Sequence, residues 1–123
     1  MRTIAVKWTA AAALTAIAAG PAVAAGNTHR FSGVAAFYDT HYSGRTASGE
    51  RYNAGRLTAA HRSLPFGTHL RVTDRHTRRT VDVVVNDRGP FTRGRVLDLS
   101  LAAAKQLQML KRGLARVDAE IVH

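Results

Sequence analysis

The chain contains no cysteine. That excludes a disulfide framework, thiolate-ligated zinc, a thiol nucleophile and a lipidated N-terminal cysteine. Acidic residues are scarce too: 8 Asp and Glu stand against 18 Lys and Arg, for a net charge of +10. Few carboxylates leave few candidates for acid–base chemistry, and the surplus of base fits an anionic partner. No internal repeat and no low-complexity stretch is visible beyond the N-terminal segment. At 123 residues there is room for one small domain, not for a multi-domain enzyme. With 46% hydrophobic and 21% charged residues, the composition is that of a globular domain rather than a disordered basic tail.

The first residues read as an export signal. Arg2 and Lys7 precede an uncharged apolar run from Trp8 to Ala19, Gly20-Pro21 break it, and Ala22-Val23-Ala24 supply small residues for cleavage. The run is about 12 residues long, short of the ~20 that span a bilayer. Residues 1–24 are therefore expected to be a signal peptide and 25–30 a flexible lead. Two of the ten surplus charges leave with it. Export moves the anionic partner from nucleic acid to an envelope polymer.

The remainder reads as short strands. Residues 31–38 form a plausible-length first strand, and 39–53, rich in Ser, Gly, Thr and Tyr, a long loop. Thr58-Ala59-Ala60-His61 is expected to form one helical turn. Leu70 and Val72 alternate in 69–73, then Val81, Val83 and Val85 in 80–86, with a polar hairpin loop carrying Asp74 between them. Asp87 to Phe91 forms a tight loop. Ser100 is an N-cap for a helix through Ala103, Leu107 and Leu110, ended by Gly113. Ala115, Val117, Ala119 and Ile121 alternate against Arg116, Asp118 and Glu120 as a closing strand. About five strands and one helix in so short a chain suggest a small closed barrel, because closure removes adhesive edges.

No metal motif stands out, since the 6 histidines show no ligand spacing. His41 and Tyr42 lie in the long loop, where an aromatic can stack on a ligand or cover the core. Carboxylates remain, and three are not absorbed by turns or polar strand faces: Glu50, Asp87 and Asp98. A carboxyl group at the mouth of an apolar strand can be raised in pKa by desolvation, as a general acid for glycosidic cleavage requires. Asp87 could equally pair with Arg88 or form an Asx-turn on Gly89, and Asp98 could cap the following helix. His61 is a general base or a polar residue closing a turn.

Several blocks occur in order: Thr46-Ala47-Ser48-Gly49-Glu50, Thr58-Ala59-Ala60-His61, Leu64-Pro65-Phe66-Gly67-Thr68, Asn86-Asp87-Arg88-Gly89-Pro90-Phe91 and Val96-Leu97-Asp98-Leu99-Ser100. Over residues 31 to 122 the chain resembles the rare lipoprotein A family of bacterial cell-wall proteins. The resemblance implies a mainly β fold, a six-stranded double-psi β-barrel with one or two short helices, across residues 31–123. It implies endolytic lytic transglycosylase activity on peptidoglycan strands stripped of stem peptides. The bond cut joins N-acetylmuramic acid to N-acetylglucosamine, and the C6 hydroxyl of the sugar attacks to leave a 1,6-anhydro end, with no cofactor and no metal. On that resemblance Asp87 or Asp98 is the acid, with Glu50 and His61 positioning the sugar and tuning it. Tyr38, Thr46 and Arg88 are the expected groove residues. The expected partner is the glycan strand, not nucleic acid, and the exported chain is expected to be a monomer without a membrane anchor, periplasmic or secreted. A non-catalytic, expansin-like wall-binding protein is the alternative. The chain departs from the family pattern in three respects: it has no lipid-bearing Cys, it is expected to carry no C-terminal peptidoglycan-binding repeat, and it has Asp39 and Gln108 where glycine is expected.

Overall fold

The computed structural model describes residues 29–123, so the expected signal peptide at 1–24 lies outside the described residues. Six strands, β1 (Arg30–Phe37), β2 (Thr58–Ala60), β3 (His69–Asp74), β4 (Thr80–Asp87), β5 (Arg95–Leu99) and β6 (Ala115–Val122), close into a barrel in the order β1-β5-β2-β4-β3-β6. One short helix, α1 (Leu101–Gln106), follows β5. The closed six-stranded barrel and its helix are those the resemblance implies. Pairing is parallel for β1 with β5 and for β2 with β4, and antiparallel for β2 with β5, β3 with β4 and β3 with β6.

Alternation builds the interior. Leu70 and Val72, Val81, Val83 and Val85, Leu97 and Leu99, and Ala115, Val117 and Ala119 are buried. They form one cluster with Ala103, Ala104, Leu107 and Met109. Each fully buried Leu or Val contributes roughly 1.5–3 kcal/mol of transfer free energy. Leu97 and Leu99 flank Asp98, so the strand that supplies part of the core also carries an acid on its other face.

The structure corrects four local expectations. Thr58–Ala60 is not a helical turn but the short central strand β2, buried throughout between β4 and β5. Its strand conformation comes from its neighbours' hydrogen bonds, which outweigh the weak preference of two alanines. Residues 95–99, given no element by the sequence pattern, form β5. Ser100 does cap α1, accepting from the Ala103 N–H at 3.3 Å. The helix nevertheless stops at Gln106, because Gln108 turns to φ 57 and sends Met109 inward while Leu110 stays 38% exposed. Gly113 has the expected positive φ of 78 but closes the turn after the helix, donating to the Met109 carbonyl. Asp74, expected in a hairpin loop, instead ends β3 with no exposed surface. The N–H groups of His76 and Thr77 and the guanidinium of Arg112 satisfy it.

Candidate active site

A bulge assembles the site. Along β2 and β4, Ala59 pairs with Val85 but Ala60 pairs with Asp87, so Asn86 is an extra residue in β4. An extra residue reverses the alternation beyond it. Val85 and Asn86 are accordingly both buried, and Asp87 is re-aimed to the face opposite Val85. Ala60 pairs with Asp98 on its other side, and Asp98 pairs with Ala36 of β1. Paired residues share a face, so Ala36, Asp98, Ala60 and Asp87 form one row across four strands. Strand spacing puts the two aspartate Cα atoms roughly 10 Å apart. The methyl side chain of Ala60 leaves the row low between the carboxylates.

The two acids have different surroundings. Both oxygens of Asp87 accept hydrogen bonds: Oδ1 from the N–H groups of Ala47 at 2.8 Å and Arg88 at 2.9 Å, Oδ2 from the Tyr38 hydroxyl at 2.5 Å. That is acceptor-only bonding, as a carboxylate makes. Asp98 is half-buried, and burial raises its pKa; Arg95 pulls it back, and the negative charge of Asp87 raises it further. Asp87 is thus an oxygen acceptor held in place, and Asp98 retains its proton to higher pH than an ordinary aspartate. Burial, then the bond to Asp87, pushes the Tyr38 phenol up, so it stays a donor.

The long loop is folded over Asp87. Tyr38 stacks on Tyr52 at 4.4 Å between centroids, and the Tyr52 hydroxyl accepts from the Leu101 N–H at the start of α1. The Ser48 N–H donates to the Asn86 carbonyl, and Gly49, at φ 96, lets the Thr46–Glu50 turn close. Thr46 is only 5% exposed, and its hydroxyl is spent on Ser48 and the Glu50 carbonyl, so it shapes the loop rather than facing a ligand. Glu50 accepts from Asn86 Nδ2 at 3.0 Å and lies 3.9 Å from Arg56.

His61 follows the row but makes no side-chain contact with either aspartate. Its N–H donates to the Asp87 carbonyl. Its Nδ1 accepts from the N–H groups of Ser63 and Leu64, both at 3.1 Å, and its ring meets Phe31 edge-on. Burial, then Arg88 and Arg62, lowers its pKa, so the ring is neutral with the proton on Nε2. Arg88 does not pair with the Asp87 carboxylate; its guanidinium lies 4.1 Å over the Phe66 ring. His41 is exposed, 3.6 Å from Asp39. The sequence reading missed Asn86, Tyr52 and the Ala47 N–H. Only Asn86 left a trace, as a polar residue inside an otherwise alternating strand.

The closed six-stranded barrel is of the double-psi class. The backbone is similar to that of the Clavibacter michiganensis expansin in its apo form, at TM-score 0.60 and 26% identity over 76% of this chain and 50% of that one. It is also similar to the Streptomyces papain inhibitor, at TM-score 0.62 and 25% identity, covering 76% and 94%. Within that class, the lytic transglycolase family model matches residues 30–119, and the chain belongs to that family. A Nostoc sp. protein named "Probable endolytic peptidoglycan transglycosylase RlpA" is 55% identical over 95 residues, 75% of this chain and 26% of that protein. The endolytic peptidoglycan transglycosylase RlpA of Haemophilus influenzae is 46% identical over 92 residues, 74% of this chain and 32% of that protein. The match thus spans about a quarter to a third of the length of these curated relatives.

Proposed function

We propose that the domain is an exported endolytic lytic transglycosylase that cuts peptide-stripped peptidoglycan strands between N-acetylmuramic acid and N-acetylglucosamine. The carrying observation is the bulge at Asn86, which puts Asp87, held by three hydrogen bonds, and the half-buried Asp98 on one face. Asp98 gives its proton to the glycosidic oxygen as the C1–O bond breaks. The C6 hydroxyl of the same muramic residue closes on C1, and its proton passes to Asp87. The products are a 1,6-anhydro end and a free hydroxyl on the leaving sugar; no water is consumed. Bulk water then returns the proton from Asp87 to Asp98. Tyr38 and the N–H groups of Ala47 and Arg88 keep the acceptor aimed. Glu50, held by Asn86, and the neutral His61 ring support the rim of the groove. Family membership and relatives of this name support the reading. No helix among the described residues is long and apolar enough to cross a membrane, and we place the exported domain in the periplasm or outside the cell, acting as a monomer.

A second reading, an expansin-like module that binds wall polysaccharide without cutting it, rests on the likeness to the expansin barrel. Residues 25–123 incubated with peptide-stripped strands decide between them. Anhydro-ended fragments in the mass spectrum are expected. Strand binding without any such product would refute the lyase and leave the binding module.

A further inference from the structure

Arg88 lies beside the acid row and is held before any ligand arrives. The Pro65–Thr68 turn that presents Phe66 is tied to β4 by the Gly67 N–H on the Val85 carbonyl at 2.8 Å. It is tied to itself by the N–H and hydroxyl of Thr68, both on the Pro65 carbonyl. Phe66 is 42% exposed, and the Arg88 guanidinium covers its ring. One guanidinium nitrogen, Nη1, donates to the His61 carbonyl at 3.3 Å and the Asp87 carbonyl at 3.5 Å. Nε and Nη2 have no partner among the described residues. The carboxylates nearby do not neutralise this cation: Asp87 is spent on Tyr38 and two N–H groups, and Glu50 faces Arg56 and Asn86. An arginine with its torsions fixed by stacking and one two-donor edge open is preorganised for a planar anion.

We propose that the open edge of Arg88 takes the ether-linked carboxylate of an unsubstituted muramic residue, and so selects strands in which that carboxylate is free. This rests on the glycan-cleaving reading, and it names the group on the strand that the domain recognises. Amide formation at that carboxylate, as a stem peptide makes, removes the charge and half of the two-oxygen acceptor. Arg88 is thus a specificity-determining residue, and it moves no proton.

The test compares two strand preparations, one with free muramic carboxylates and one with the same carboxylates converted to methylamides. For the parent chain, kcat/KM is expected to favour the free carboxylate by about tenfold or more, the size of a charge-assisted bidentate pair. In Arg88→Gln that ratio should fall to within about twofold of one, and in Arg88→Lys, which keeps the charge without the fork, it should be intermediate. Equilibrium binding of both preparations to Asp98→Asn, with and without Arg88→Gln, gives the same ratio without turnover. Loss of activity on both strands alike, with the ratio kept, would show that Arg88 only supports the fold and would overturn the proposal. A ratio of one in the parent would overturn it as well. Absence of cleavage by the parent together with a binding ratio that depends on Arg88 would refute the lyase alone and leave the carboxylate site standing.

Discussion

Replacing Asp98 by Asn is expected to slow the proposed strand cleavage and to stabilise the domain at neutral pH. The carboxyl group is half-buried on β5 and accepts no hydrogen bond from the described residues; Arg95 is the favourable charge near it and Asp87 the unfavourable one. Burial first, and Asp87 in addition, hold its folded pKa above the ordinary 3.8. Folding therefore favours the protonated form. The stability linked to that proton is fully present below 3.8 and is lost as the pH rises through the raised folded value. At pH 7 the ionised group is a net cost, which an amide of nearly the same shape removes. The partial solvent access of Asp98 keeps the gain small, about 1 kcal/mol or less. That corresponds to a few degrees in Tm, at ~4–8 °C per kcal/mol for a domain of this size. Below the ordinary carboxylate range the two proteins should melt together. Turnover should fall by about 10²–10⁴, the usual contribution of a positioned acid. Thermal denaturation at pH 7 and pH 3, alongside mass-spectrometric counting of anhydro ends, gives both numbers. Turnover within tenfold of the parent would refute the acid role. Destabilisation at pH 7 would refute the desolvation argument.

Three further outcomes are expected. Tyr38→Phe removes the hydroxyl that donates to Asp87 but leaves the ring able to stack on Tyr52; kcat/KM measured on stripped strands should fall about tenfold or more. Arg112→Ala strands the buried Asp74, and urea unfolding at pH 7 should show a loss of about 3–5 kcal/mol. Burial alone would raise the Asp74 pKa, but Arg112 and the N–H groups of His76 and Thr77 hold it below 3.8. In the parent that contribution is present above 3.8 and is lost as the pH falls through the lower folded value, so the gap between parent and variant should narrow in acid. Gln108→Gly should raise stability by up to about 1 kcal/mol in the same assay, because the residue sits at φ 57, where a side chain is strained and glycine is not.

Much of the barrel wall was legible from alternation. The dry faces of β3, β4 and β6, the Ser100 cap and the scarcity of acids that singled out Asp87 and Asp98 are all local properties of short segments. A periodic apolar face reports its own burial, and a hydroxyl before a helix reports its own cap. Strand β2 was not legible: three small residues carry no period, and only β4 and β5 on either side make them a strand. Asp74 was misplaced because its burial depends on Arg112, 38 positions further along. The direction of Asp87 was hidden for the same reason. Its candidacy could be read from the residues around it, but the face it occupies is set by the register between β2 and β4 and by the extra residue Asn86. So too with Arg88, whose open edge exists because Phe66, far back in the chain, turns up beneath it. The sequence by itself determined the alternating strands β3, β4 and β6 and narrowed the candidate acids to a few. Register between distant strands, a property of no single segment, decided that two of those acids share a face and have different surroundings.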